Sequence, residues 1–290
     1  MRAPPGRHAG TFALVGAALG FSTIPIFTAL ATGAGTPLLT VMTGRYVVAT
    51  AVIIPMAGGF AGMRLPGERV LQLAGIGGMG QALVAFLSLS ALAFIPAATL
   101  VFLFYTFPAF VALRAAVLRS EPLTSMRLVS LALSFAGVAI MVGWPGAAAV
   151  HPAGAALALS AAVIYALFIP LIDRLRAGIG PVVATAWVCV GAAVIFATAA
   201  GVRGQVSLDL PLLTWGSMVG LGLVSTIFAF VLFLKGLEAL GPVRTAIVTT
   251  TEPFFVVILA ALVLEQPIRF ETMIGGALIA IAVLVLQRSR

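Results

Sequence analysis

The sequence predicts an all-α integral membrane protein: ten transmembrane helices, arranged as two five-helix repeats inverted with respect to each other. Three observations predict it. The chain is 62% hydrophobic and 8% charged, with a mean hydropathy of +1.20. A soluble domain carries about 45–50% apolar and roughly 25% charged residues. Polar and Gly/Pro-rich breaks then cut the chain into ten apolar segments, and its prolines recur at a shift of half its length.

A helix needs about 20 apolar residues to cross the hydrocarbon. The segments are 10–31, 37–58, 69–93, 97–118, 124–143, 153–173, 181–202, 211–235, 243–264 and 271–287. The first follows MRAPPGRHAG without a clear cleavage site and outruns a signal-peptide core of about 7–15 residues, so it reads as a retained helix. The connections are short, which makes consecutive helices antiparallel neighbours.

The bases orient the chain. With the N-terminus in the cytoplasm, twelve fall at cytoplasmic ends: Arg2, Arg7, Arg64, Arg69, Arg119, Arg127, Arg174, Arg176, Lys235, Arg244, Arg288 and Arg290. Arg203 and Arg269 fall outside, and Arg114 lies one turn inside the fourth helix on the cytoplasmic side, where it can snorkel. Short cytoplasmic loops carry the excess of Lys and Arg, so both termini are expected in the cytoplasm. The net charge of +8 is thus a topology signal. The bases form no cluster with interleaved aromatics, and no nucleic-acid partner is expected.

The repeat is read from proline. Pro25 in FSTIPIF pairs with Pro170 in YALFIPLID, Pro108 with Pro253, and Pro122 with Pro267, each at a shift of 145. Pro96 pairs with Pro242 at 146. The halves, 1–145 and 146–290, hold five helices each. Five is odd, so the second half enters the membrane upside down. Inverted repeats are built into many transporters, with the site near the midplane between them.

Two ionisable groups lie deep in these spans, Arg45 and Glu252. A charge at a helix centre costs about 2.5–3.5 kcal/mol on insertion scales, so such a residue usually faces a cavity or a partner. Thr245, Thr249 and Glu252 follow i, i+4, i+7 spacing and share one helix face. Pro253 has no N–H, so the Thr249 carbonyl loses its helical partner and the helix should kink. The fourth helix carries the counterpart, FLFYTFPAF, with Phe102, Tyr105 and Ala109 on one face before and at Pro108. The third places Gln81 and Ser88 on one face, next to AGIGGMG, whose small residues allow close helix approach. Ser22 and Thr23 precede Pro25, Tyr165 and Phe168 precede Pro170, and Ser217, Ser225 and Phe228 mark the eighth helix. Together these residues predict a midplane cavity with hydroxyls, one amide, one acid and aromatic faces. The expected hinges are Pro25, Pro108, Pro170 and Pro253. Arg45 in TGRYVVA is assigned a structural role, pairing with a carboxylate or carbonyls, or stacking on Tyr46.

Other chemistry is not encoded. The histidines, His8 and His151, are expected outside the helices. The chain has no GxxxxGK[ST] loop and no Asp-rich or His/Cys cluster, so no metal or cofactor is expected. The single cysteine, Cys189, excludes a disulfide framework.

GRY in the second helix, ALAFIPAATLVFLFYTFPAF followed by SEP, and LEALGPVRTAIVTTTEPFF followed by LEQP resemble the drug/metabolite transporter superfamily. Within it, the chain is similar to the ten-helix EamA-type members, as two copies over nearly the whole length. It further resembles bacterial inner-membrane amino-acid exporters of the YddG type. That resemblance implies export of aromatic and other neutral amino acids by alternating access. It also implies a cavity lined by helices 1, 3, 4, 6, 8 and 9, with helices 2 and 7 more peripheral. Any ion coupling would rest on Glu252. The reading is therefore a secondary transporter that exports a small amphipathic metabolite, most simply an amino acid. The alternatives are an exporter of another metabolite or drug, a passive channel, and a membrane-embedded enzyme on a lipid-linked substrate. The lipid bilayer and the small-molecule substrate are the partners implied. The sequence does not fix the oligomeric state, and a monomer is compatible with it.

Overall fold

A computed structural model describes residues 7–117, 125–143, 150–249 and 251–288. Among these there is no β-strand. The longer helices are α1 (Arg7–Gly33), α2 (Leu38–Met56), α3 (Gly67–Ala93), α4 (Ala97–Phe104), α5 (Phe107–Val117), α6 (Ser125–Gly143), α7 (Pro152–Leu175) and α8 (Pro181–Val202). Then come α9 (Leu212–Gly220), α10 (Ala229–Thr249), α11 (Glu252–Val263) and α12 (Phe270–Arg288). A π-helical stretch, Leu71–Gly77, lies inside α3, and another, Leu221–Phe228, joins α9 to α10.

Among the described residues, six helices are long and apolar enough to cross a membrane: His8–Gly33, Leu38–Met56, Gly67–Ala93, Pro152–Ile169, Val182–Val202 and Leu212–Phe233. Shorter apolar helices stand at the other four expected positions. Two of these are short for a visible reason. The fourth expected segment is broken between α4 and α5, and the ninth between α10 and α11, each just before a proline.

One boundary differs from expectation. The gap anticipated at 236–242 is helical, and helical backbone runs from Leu212 to Thr249. The chain nevertheless reverses there. Gly10 of α1 lies against Ala239 and Leu240, whereas Val256 and Ala260 cluster with Ile26, much further along α1. The turn thus falls within 240–256 and needs no long polar loop. His8 also differs: α1 begins at Arg7, so this exposed histidine sits in the first helical turn. The helix continues past the apolar stretch because its backbone hydrogen bonds do not require an apolar side chain. His151 does precede its helix, and its Nδ1 accepts from the Ala153 N–H at 3.2 Å.

The helices pack in pairs: α1 against α10, α2 against α8, α3 against α7 and α6 against α12. Small residues set the spacing. A Cβ on Gly78 of α3 would stand 2.7 Å from Gly191 Cα of α8, and one on Gly20 of α1 would stand 2.8 Å from Ala229 Cβ of α10. Such approaches leave dispersion and backbone contacts to hold the bundle, as lipid supplies no hydrophobic drive between helices. The paired helices bring α4 and α11 together beside α1 and α7, which sets the two broken helices side by side.

Candidate functional site

Both breaks are made by the same local chemistry. Pro108 cannot donate to the Phe104 carbonyl, nor Pro253 to that of Thr249, so each helix stops where its ladder loses a rung. At the first break, Thr106 N–H and Oγ1 both bond the Leu103 carbonyl, at 3.2 and 2.7 Å. Ala109 and Phe110 N–H then bond the Thr106 carbonyl. At the second, Thr251 N–H and Oγ1 bond the Val248 carbonyl at 3.1 and 2.7 Å, and Phe254 and Phe255 N–H bond the Thr251 carbonyl. Every donor and acceptor of the second set is its counterpart in the first plus 145.

The breaks are joined. Tyr105, in the turn between α4 and α5, directs Oη at Glu252 Oε2, 2.7 Å away, and at the Thr249 carbonyl, 3.2 Å away. That carbonyl is the one whose helical donor Pro253 replaces. A phenol carries one hydrogen, so it serves one of these acceptors fully at a time. A bound ammonium has three donors and could serve both the carboxylate and the carbonyl. Beside this joint lies an aromatic cluster. Tyr165 of α7 meets Phe104 at 5.2 Å and Phe107 edge-to-face at 4.9 Å between ring centroids. Tyr105 meets Phe107 at 5.9 Å. All four rings and Glu252 are partly buried.

The structure therefore gathers Tyr105, Tyr165, Thr249 and Glu252 and disperses several other expected residues. Thr23 Oγ1 lies 2.6 Å from Ser225 Oγ, joining α1 to the π-helical stretch before α10. Gln81 donates to Tyr46 Oη of α2 at 3.0 Å. The Ser88 hydroxyl bonds back to the Val84 carbonyl of its own helix at 2.8 Å. Phe102 is 1% exposed, edge-on to Phe254 and against Gly276, and so packs the α4–α11–α12 contact. Phe168 packs on Gly80. Ser217 Oγ is buried without a partner among the described residues. Phe228 is 54% exposed, apart from the aromatic cluster. The side chains of Thr245, Pro108 and Pro170 lie outside the described residues. Pro25 and Pro170 stand within helices that run unbroken, unlike Pro108 and Pro253.

Some residues at the breaks and around Arg45 were missed by sequence reasoning. Thr106 and Phe104 were available from the 145-residue shift and from their place beside Tyr105. Thr226 was also available: it is Gln81 plus 145, and it accepts from Arg45 Nε at 3.2 Å. Arg45 also lies over the Tyr46 ring, 5.2 Å from its centroid. Of the partners foreseen for it, the aromatic stack is present, and the hydroxyl was not foreseen.

The profile of the EamA-like transporter family matches residues 8–143 and again 152–288. One solved crystal structure is similar over 97% of this chain and 98% of its own, at 22% identity and a TM-score of 0.67, a likeness that shows the fold alone. No curated protein matches.

Proposed function

The chain belongs to the EamA-like transporter family of the drug/metabolite transporter superfamily, a multi-pass membrane transporter of small molecules, and from that premise we propose that it exports amino acids by alternating access. The observation that carries this reading is the joint at Tyr105, Glu252 and Thr249. A carboxylate and a carbonyl whose helical donor is replaced by Pro253 converge where two helices are broken. The pair suits a substrate ammonium, and the neighbouring rings suit an apolar side chain.

The family profile matching twice and the identical bond sets at the two breaks support an inverted repeat of 1–145 and 146–290. Two such halves exchange access by swapping shapes about the breaks. The outer segments α4 and α11 pack on each other. This supports a state closed outside. The distribution of bases supports cytoplasmic termini and residence in a bacterial inner membrane.

The test is counterflow in reconstituted vesicles with twenty labelled amino acids, with and without a pH gradient. The expected result is uptake driven by unlabelled substrate inside, weakened by Glu252→Gln. Equilibration without that stimulation would indicate a channel. No response to any amino acid would move the substrate to another metabolite class.

A further inference from the structure

Among the described residues, the buried cation Arg45 has more donors than it meets acceptors. It lies on α2 and is 6% exposed. A guanidinium carries five N–H donors. Nε–H goes to Thr226 Oγ1. Among the described residues the Nη groups meet no acceptor, and no carboxylate pairs with the charge.

The surroundings fix this guanidinium in place. Thr226 donates its own hydroxyl hydrogen to the Leu221 carbonyl, five residues back in the π-helical stretch, which leaves its oxygen lone pairs for Arg45. The Tyr46 ring beside the guanidinium is 1% exposed, stacked on Phe196 of α8 at 5.6 Å and held by Gln81 of α3. Three neighbouring helices therefore hold the plane and one edge of the fork, and the other edge stays free. A rigid planar fork with two free N–H rows fits a carboxylate in two-point contact, which a point charge such as Lys does not match. Holding a charge unpaired in a membrane span is expensive, so such residues mark ligand paths by default.

We propose that Arg45 binds the carboxylate of the transported molecule, which makes the substrate class carboxylate-bearing small metabolites. This rests on the transport reading above and extends it. Arg45 is then a binding residue, held in register by Thr226 and Tyr46.

The test uses the full chain in phosphatidylcholine nanodiscs, with 3-phenylpropionate and phenethylamine as probes and thermal stability as the readout. The acid probe is expected to stabilise the wild type. Its apparent affinity should fall about ten-fold in Arg45→Lys and about a hundred-fold in Arg45→Gln, the scale of losing two charged hydrogen bonds. The amine probe should be insensitive to Arg45 and sensitive to Glu252→Gln. Equal stabilisation of wild type and Arg45→Lys by the acid, or none of the wild type, overturns the proposal even where Arg45→Gln does not fold. Loss of the acid effect in phosphatidylglycerol nanodiscs would assign the fork to a lipid headgroup and also overturn it. Amino-acid counterflow that persists in Arg45→Gln would sink this inference alone. Absence of any counterflow in the wild type would sink the transport reading.

Discussion

Tyr105 holds Glu252 by a hydrogen bond of 2.7 Å that links two broken helices 147 residues apart in sequence. The same hydroxyl reaches the Thr249 carbonyl, which cannot accept from Pro253. One hydroxyl is thus shared between two acceptors at the second break. A double-mutant cycle of Tyr105→Phe and Glu252→Gln should therefore show coupling of about 0.5–3 kcal/mol in detergent unfolding. Strict additivity would mean the contact contributes nothing.

The proline at the second break is expected to govern rate more than stability. Pro253→Ala restores one helical hydrogen bond, a net of about 1 kcal/mol, and favours a straight helix. That bias corresponds to roughly five-fold slower counterflow, with helical content unchanged by circular dichroism. Pro108→Ala should act in the same direction. Normal rates in both variants would make the breaks fixed features.

Tyr165 and its neighbouring rings should set side-chain preference. An edge-to-face contact is worth about 0.5–1.5 kcal/mol beyond area burial. Tyr165→Ala should then weaken transport of large apolar amino acids by roughly 2–12-fold and spare small ones. A uniform loss across substrates would assign the ring to packing.

The closure on the outer side can be tested by cross-linking. Val101 of α4 and Val256 of α11 share one buried cluster. Val101→Cys with Val256→Cys should form a disulfide that stops counterflow, and reduction should restore it. Continued transport by the cross-linked protein would show that these segments need not part.

Orientation is open to labelling in intact cells. Val206 is 65% exposed and is expected outside, while Ala177, also exposed, is expected inside. An impermeant thiol reagent should modify Val206→Cys and leave Ala177→Cys untouched. The opposite pattern would reverse the topology.

The composition and the prolines made the helices and both breaks legible, because a missing N–H acts locally whatever surrounds it. Tyr105 and Glu252 were legible for a similar reason: a polar group in an apolar span needs a partner. The separation of Gln81, Ser88 and Phe102 from the Tyr105–Glu252 joint was not. Helical spacing says which residues share a face, but the neighbour that face meets depends on the packing of α2 and α12, which no local pattern records. The helical backbone through 236–242 was hidden too, since Gly236, Gly241 and Pro242 read as a loop.

The link between Tyr105 and Glu252 also sets a delay in biosynthesis. The phenol enters the bilayer 147 residues before its acceptor is made. At about 5–20 residues per second, that interval is about 7–30 s. Through it, the turn after α4 carries an unsatisfied hydroxyl, and the Ala97 N–H waits still longer for Gln266 Oε1, 169 residues on. Lipid offers neither group a partner. The nascent first half is thus expected to linger beside water or the insertion machinery, and a chain stalled before residue 250 should remain cross-linkable to that machinery until the second half arrives.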